Sequence, residues 1–204
     1  MGLKHQLLDS SFYLHDDVVQ QARSLLGCRL FTRFNGALTS GMITETEAYA
    51  GITDRASHAY GGRYTERTEV MYRAGGIAYV YFCYGMYHLF NVVTASEGTP
   101  HAVLIRAVEP LEGIELMMER RGRRQLSGLS DGPGKLCIAL GINRSHNKMP
   151  LDGRHIGIET FRKPPADAIV ATPRIGVHYA GDDALLPYRF VWNVGKGNPG
   201  RDVG

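Results

Sequence analysis

A chain of 204 residues with a hydrophobic content of 44% is long enough to bury the core of one domain, and its formal net charge of +3 permits an anionic partner without requiring one. The cysteines, Cys28, Cys83 and Cys137, are odd in number and widely spaced. That excludes a disulfide framework and a cysteine-built zinc site, and fits a reducing, intracellular setting. The first residues carry no apolar run of the kind a signal peptide needs, and no stretch is long and apolar enough to span a bilayer, so a soluble protein without a membrane partner is expected.

In chain order, apolar residues at helical spacing (Val18, Val19, Ala22, Leu25, Leu26) predict an amphipathic helix over 16–26 that stops at Gly27. Strands are predicted over 29–34, 37–49, 77–84, 87–94 and 102–108. Between the second and third lies a polar, glycine-bearing excursion over 51–76, long for a connection and therefore functional or helix-containing. Helices are predicted over 111–121 and, after Gly132-Pro133, over 134–140. The final third reads as strands over 156–159, 174–178 and 188–194, joined by proline-rich turns. No internal repeat or linker interrupts the pattern, so one α+β domain over residues 1–204, built on a largely antiparallel sheet, is expected.

Strand alternation in the segment from Ile43 to Tyr49 puts Glu45, Glu47 and Tyr49 on one face, with His58 close behind in sequence. Two carboxylates, a phenol and an imidazole suit chemistry on a flat ring; a solvated strand face with ordinary acids is the plainer alternative. Further on, Tyr79, Tyr81 and Cys83 share one face of a tyrosine-rich hairpin, while Tyr84, Met86 and Tyr87 flank its turn at Gly85. Large side chains at a hairpin tip serve either as core or interface packing, or as a wedge between nucleic-acid bases. Two arginine groups, Arg120, Arg121, Arg123 and Arg124 after a helix-like run and Arg63, Arg67 and Arg73 after His58, face either phosphates or solvent. Gly132-Pro133-Gly134-Lys135 is not a phosphate loop, because the glycine spacing is wrong and Leu136 stands where magnesium would need Ser or Thr.

These strings, taken together, closely resemble the alkyladenine (3-methyladenine) DNA glycosylase family, the enzymes with a compact fold of their own rather than the helix-hairpin-helix type. The matching segments are Glu45-Thr46-Glu47-Ala48-Tyr49; Ala56-Ser57-His58 with Gly61-Gly62-Arg63; Tyr79-Val80-Tyr81 with Tyr84-Gly85-Met86-Tyr87; and Asn91. They continue with Leu104-Ile105-Arg106-Ala107, Glu109 through Gly113, Gly132-Pro133-Gly134-Lys135-Leu136-Cys137 and Arg174-Ile175-Gly176-Val177. They occur in family order through nearly the whole chain, which makes the set specific where no single string is. The pattern departs near the carboxyl terminus, where the chain reads Gly197-Asn198-Pro199-Gly200-Arg201.

The resemblance implies a base-excision-repair DNA glycosylase that extrudes an alkylated or deaminated purine from double-stranded DNA and hydrolyses its bond to the sugar. The fold expected is a single compact α+β domain with a curved, largely antiparallel sheet, flanking helices and a protruding hairpin. By resemblance, Tyr49, His58 and Tyr81 hold the extruded base, and the backbones of Ala56 and His58 meet its edge. Asn91 crowds the exocyclic amino position of guanine. Glu47 deprotonates the attacking water, which Arg106 positions and the carbonyl of Ile175 accepts from; a structural salt bridge is the other role open to Glu47. Tyr84 fills the gap left in the duplex, with Met86 and Tyr87 beside it, and Lys135 touches the DNA backbone. No metal, cofactor or lyase step is expected, and the protein is expected to act as a monomer in the cytoplasm or nucleoid of a bacterium or the nucleus of a eukaryote. A non-catalytic damage-recognition module and a purine nucleoside hydrolase are the competing functions; Glu47 and Arg106 argue against the first, the aromatic hairpin against the second.

Overall fold

The longest strand organises the molecule. In the computed structural model, which describes residues 5–83 and 85–194, β1 (Arg29–Phe34) and β2 (Ala37–Tyr49) form an antiparallel hairpin. Asn35 and Gly36 make its two-residue turn with φ of 53° and 77°, the left-handed pair that a turn matched to strand twist demands. Six further strands follow: β3 (Ala78–Cys83), β4 (Tyr87–Thr94), β5 (His101–Glu112), β6 (Ile156–Glu159), β7 (Ile169–Thr172) and β8 (Arg189–Trp192). They make one curled sheet in the order β3-β4-β5-β2-β1-β6, with β8 paired to the second half of β2 and β7 to β8, every pairing antiparallel. The domain is single, compact and of the α+β class.

Alternation sorts the two faces of four neighbouring strands. Ala78 and Val80 of β3, Phe90 and Val92 of β4, Val103 and Ile105 of β5 and Ala48 of β2 enter the main core. Helices α2 (Val18–Ser24) and α4 (Pro133–Leu140) supply Val18, Ala22, Leu136, Cys137, Ala139 and Leu140 to the same core, after the short α1 (Ser10–Tyr13) and with Met117 of α3 (Ile114–Arg121). The intervening residues of those strands point to the other face, where residues 51–76 and 174–186 cover them with two small clusters, one around Val70, Met71 and Tyr79 and one around Ala56, Val177 and Ala180.

Where β2 passes from β1 to β8 its register against β5 shifts between Ile43 and Glu45 and again before Thr46. This bulge turns the strand, so that Ile43 lies in the core whereas Glu45, two residues on, meets Arg106. Beyond it Thr46 returns to the core side and donates to the Ala22 carbonyl of α2 at 2.8 Å.

Several boundaries differ from the sequence expectation. The helix expected over 16–26 is only Val18–Ser24, because Asp17 leaves helical geometry to accept the Gln20 amide at 2.9 Å. The helix expected from residue 111 begins at Ile114: Pro110 and Glu112 still pair with Gly41 and Ser40 of β2, and the break is Gly113, at φ 68°, where a Cβ would lie 2.3 Å from the Leu38 carbonyl oxygen. Residues 174–178 are not a strand. Arg174 is drawn inward by an ion pair and Gly176 takes φ 76°, which no pleated strand follows; the strand in this region is β7, which the sequence reading missed. The last strand is the short β8, and the divergent stretch 197–201 lies outside the described residues. Among the described residues, no helix is long and apolar enough to cross a membrane.

Candidate active site

A cavity of about 660 Å³ opens on the face of the sheet opposite the main core. Its floor follows the strand period: Tyr79, Tyr81 and Cys83 of β3, Tyr87, Leu89 and Asn91 of β4, Ala102, Leu104 and Arg106 of β5, and Tyr49 of β2. Ala56, His58 and Arg67 come from one covering segment, Ile175, Gly176, Val177 and Tyr179 from the other, and Gly134 and Lys135 from the start of α4. Gly134 is required there, since a Cβ would come within 2.7 Å of the Tyr87 ring.

Glu47 sits at the centre of the sheet, opposite Leu104 of β5 on one side and Arg189 of β8 on the other, so its backbone is held from both edges. Its side chain is fully buried, which is costly for a carboxylate unless donors replace water. Three do: the Tyr49 hydroxyl at 2.8 Å, the Ile175 amide N–H at 2.8 Å and Arg106 Nη1 at 3.3 Å. All three donors belong to residues that line the cavity, so the carboxylate lies just beneath its surface. Burial, and then the charge of Glu47, pushes the Tyr49 hydroxyl well above the usual tyrosine range; it stays protonated and able to donate.

Arg106 is shared. Its Nε donates to Glu45 at 2.7 Å, and the same Glu45 oxygen accepts from Arg189 Nε at 2.6 Å, while Arg189 Nη1 donates to Thr172 Oγ1 at 3.2 Å. Burial opposes the charge on Arg106, but the two carboxylates outweigh it and hold the guanidinium protonated. Glu45 thereby fixes the plane in which Arg106 addresses Glu47.

At the β3 end of the same floor His58 packs edge-on to Tyr81, with ring centroids 4.8 Å apart. Arg67 donates to His58 Nε2 at 3.2 Å, and because a guanidinium can only donate, the proton of the neutral ring is on Nδ1, which donates to the Tyr79 hydroxyl at 2.8 Å. Burial first, then Arg67 and Arg63, lowers the His58 pKa to about 4, so the ring is uncharged at neutral pH. The Arg67 guanidinium also stands 4.7 Å from the centroid of the Tyr81 ring.

The loop that supplies Ile175 is tied down by Arg174. Its guanidinium is fully buried, meets both oxygens of Asp54 at 2.5 and 2.8 Å, donates to the Ala48 carbonyl at 2.9 Å, and lies 4.9 Å from the centroid of the Tyr49 ring. One ion pair thus fixes the Tyr49 wall and the amide beside Glu47 together.

The structure therefore gathers Tyr49, Ala56, His58, Tyr81, Asn91, Arg106 and Ile175 along one cavity, with Glu47 buried behind Tyr49, Arg106 and Ile175, although 128 positions separate Glu47 from Ile175. Asn91 is buried and oriented by its Nδ2, which donates to the Tyr79 carbonyl at 3.1 Å. Tyr87, 41% exposed, and Lys135 also line the cavity, the lysine 2.8 Å from Asp131; Met86 is 66% exposed at the hairpin and does not line it. Tyr84 lies outside the described residues. Of the arginines at the end of α3 and just beyond it, Arg120 and Arg121 hold the carbonyls of Ala139 and Leu129 at 3.0 and 3.2 Å and so have a structural role, while Arg123 and Arg124 are exposed. Sequence reasoning gave no site role to Tyr79 and Arg174, although both stand in the matching strings and Tyr79 shares the hairpin face of Tyr81; it missed Tyr179 and Arg189, and saw Arg67 only as a charge.

A family model described as methylpurine-DNA glycosylase (MPG) matches residues 11–196. A protein of Chlamydia felis is 48% identical over 192 residues, covering 93% of this chain and 98% of its own length. One from Clostridium acetobutylicum is 47% identical over 187 residues (88% and 90%), and one from Bacillus cereus strain AH187 is 45% identical over 199 residues (93% and 95%). All three carry the provisional name 3-methyladenine DNA glycosylase. Fold, cavity and these likenesses define a DNA glycosylase, a repair hydrolase that acts on N-glycosyl bonds. The chain belongs to the methylpurine-DNA glycosylase family.

Proposed function

We propose that the protein binds double-stranded DNA containing an alkylated or deaminated purine, extrudes the damaged nucleotide into the cavity and releases the base with a water activated by Glu47. The observation that carries this reading is a fully buried carboxylate whose three donors all belong to the wall of an aromatic cavity. Tyr49 on one side and Tyr81 with His58 on the other bound a space for a flat ring. Neutral His58 adds no charge repulsion toward a cationic, alkylated base, and stacking on tyrosine favours such a base by roughly 0.5–2 kcal/mol.

In the step itself Glu47 takes a proton from water as the oxygen bonds to the anomeric carbon. The bond from sugar to base breaks and its electrons leave with the base, which is neutral if it was alkylated on a ring nitrogen. Ionised Glu47 also stabilises the positive charge that builds on the sugar, and Arg106, held by Glu45, keeps carboxylate and water aligned. The Ile175 carbonyl is the water's second acceptor, and its amide holds Glu47. Because the nucleophile is water, the product is an abasic site with an uncut strand. Asn91 excludes the guanine amino group, Tyr84, by resemblance, fills the gap in the duplex, Met86 and Tyr87 flank it, and Lys135 meets a phosphate. The exposure of Met86 and Tyr87 (66% and 41%) favours a duplex over a free nucleoside, which needs no unstacking. The protein acts as a monomer inside the cell.

The test is release of a methylated or deaminated purine from a defined duplex, with and without excess chelator, followed by gel analysis before and after alkali. Base release that survives chelation, with strand scission only after alkali, is expected. Failure to release any damaged purine, or loss of activity restored by a divalent ion, rules the reading out.

A further inference from the structure

We propose that Tyr179 is a specificity-determining residue, whose hydroxyl occupies the Ala56 carbonyl and so withholds a hydrogen-bond acceptor from the edge of the bound purine. The inference rests on the cavity being a purine site. Tyr179 lines that cavity and is 69% exposed, and its hydroxyl donates to the Ala56 carbonyl at 3.0 Å. A tyrosine so exposed contributes little to the core, yet it is presented rigidly. Its short helical segment, His178–Leu185, is strapped to the strip around Ala56 at several points. The Arg55 amide donates to Asp183 Oδ2 at 2.8 Å, Arg174 Nη2 donates to the Asp183 carbonyl at 3.1 Å, and Ala56, Val177 and Ala180 form one buried cluster.

Ala56 itself is 2% exposed, so its carbonyl has little water to fall back on. A base whose edge carries an N–H must share that oxygen with the phenol or displace it, whereas a base without an edge N–H meets an acceptor already satisfied. Tyr179 therefore narrows the difference between the two classes. Removing its hydroxyl reverses this: the freed carbonyl rewards an N–H donor and penalises its absence, because an unpaired buried acceptor is costly.

The test compares wild type with Tyr179→Phe on otherwise identical duplexes containing hypoxanthine, which has an N1–H, or 1,N6-ethenoadenine, whose extra ring removes the N–H groups from that edge. Single-turnover excision and binding affinity are read in parallel, so that a base cut too slowly to time still reports. The hypoxanthine to ethenoadenine ratio is expected to rise about tenfold in the variant. A ratio unchanged within twofold, whether both rates hold or both fall together, overturns the specificity role and leaves Tyr179 a general lid. Wild-type protein that neither binds nor cuts either duplex overturns the purine-site reading itself, a result distinct from an unchanged ratio.

Discussion

The Glu47 carboxylate is buried just beneath the cavity surface among three donors, and replacing it by glutamine keeps the volume while removing the basic lone pair. Glu47→Gln is expected to lower single-turnover base release by at least about a hundredfold while leaving affinity for lesion duplex within a few-fold. Near wild-type turnover would show that another group activates the water. His58 gives a second prediction. Its pKa falls from an ordinary 6.5 to about 4 on folding, so between those values the unfolded chain binds more protons than the native one. The stability it contributes is complete above pH 6.5 and is lost as pH falls toward 4, by an amount on the order of 2–3 kcal/mol. Urea unfolding from pH 7 to 4 should show this loss in wild type and a shallower one in His58→Gln; parallel curves would remove His58 as its source.

Among the elements, the loop at 174–177 does the most to join fold and chemistry, and it is held by one buried pair. Asp54→Ala leaves the Arg174 guanidinium buried without its counter-charge, which is expected to destabilise the protein by about 3–5 kcal/mol. Since Arg174 also steadies the Ile175 amide and lies beside the Tyr49 ring, base release should fall by more than the folded fraction explains, measured at a temperature where the variant remains folded. Full activity per folded molecule would mean the loop needs no anchor. The bulge in β2 acts at the same scale: it lets Ile43 fill the core and still aims Glu45 and Glu47 at Arg106, two requirements that an uninterrupted strand of period two cannot meet together.

For the molecule as a whole a net charge of +3 says little, because the cations that matter are the few at the cavity mouth. Lys135 is paired with Asp131 across an exposed site, a contact worth only about 0–1 kcal/mol, so it is free to exchange that partner for a phosphate. Lys135→Ala is expected to weaken binding to damaged and undamaged duplex alike and to reduce the slope of log affinity against log salt by about one. An unchanged slope would take Lys135 off the DNA path.

Much of this protein is legible in its residues. The paired strands at 29–34 and 37–49 follow from β-forming composition around Asn35-Gly36, and the tyrosine-rich hairpin from alternation, because both are local properties of backbone and side chain. The family, too, is written in ordered strings that the match over residues 11–196 bears out. Local pattern misled where long-range partners decide. Leu111 and Glu112 look helical but extend β5, since β2 offers them a ladder, and the residues after Pro173 look like a strand but form a loop, since Asp54, 120 positions away, draws Arg174 inward. The same reason hid Arg174, Arg189 and Tyr179 from the sequence reading. Arg174 stands in a matching string beside Ile175 without a role of its own, the neighbourhoods of Arg189 and Tyr179 mark nothing, and all three roles exist only once the folded chain sets an arginine beside the Tyr49 ring, a second arginine against Glu45 and a phenol on the Ala56 carbonyl.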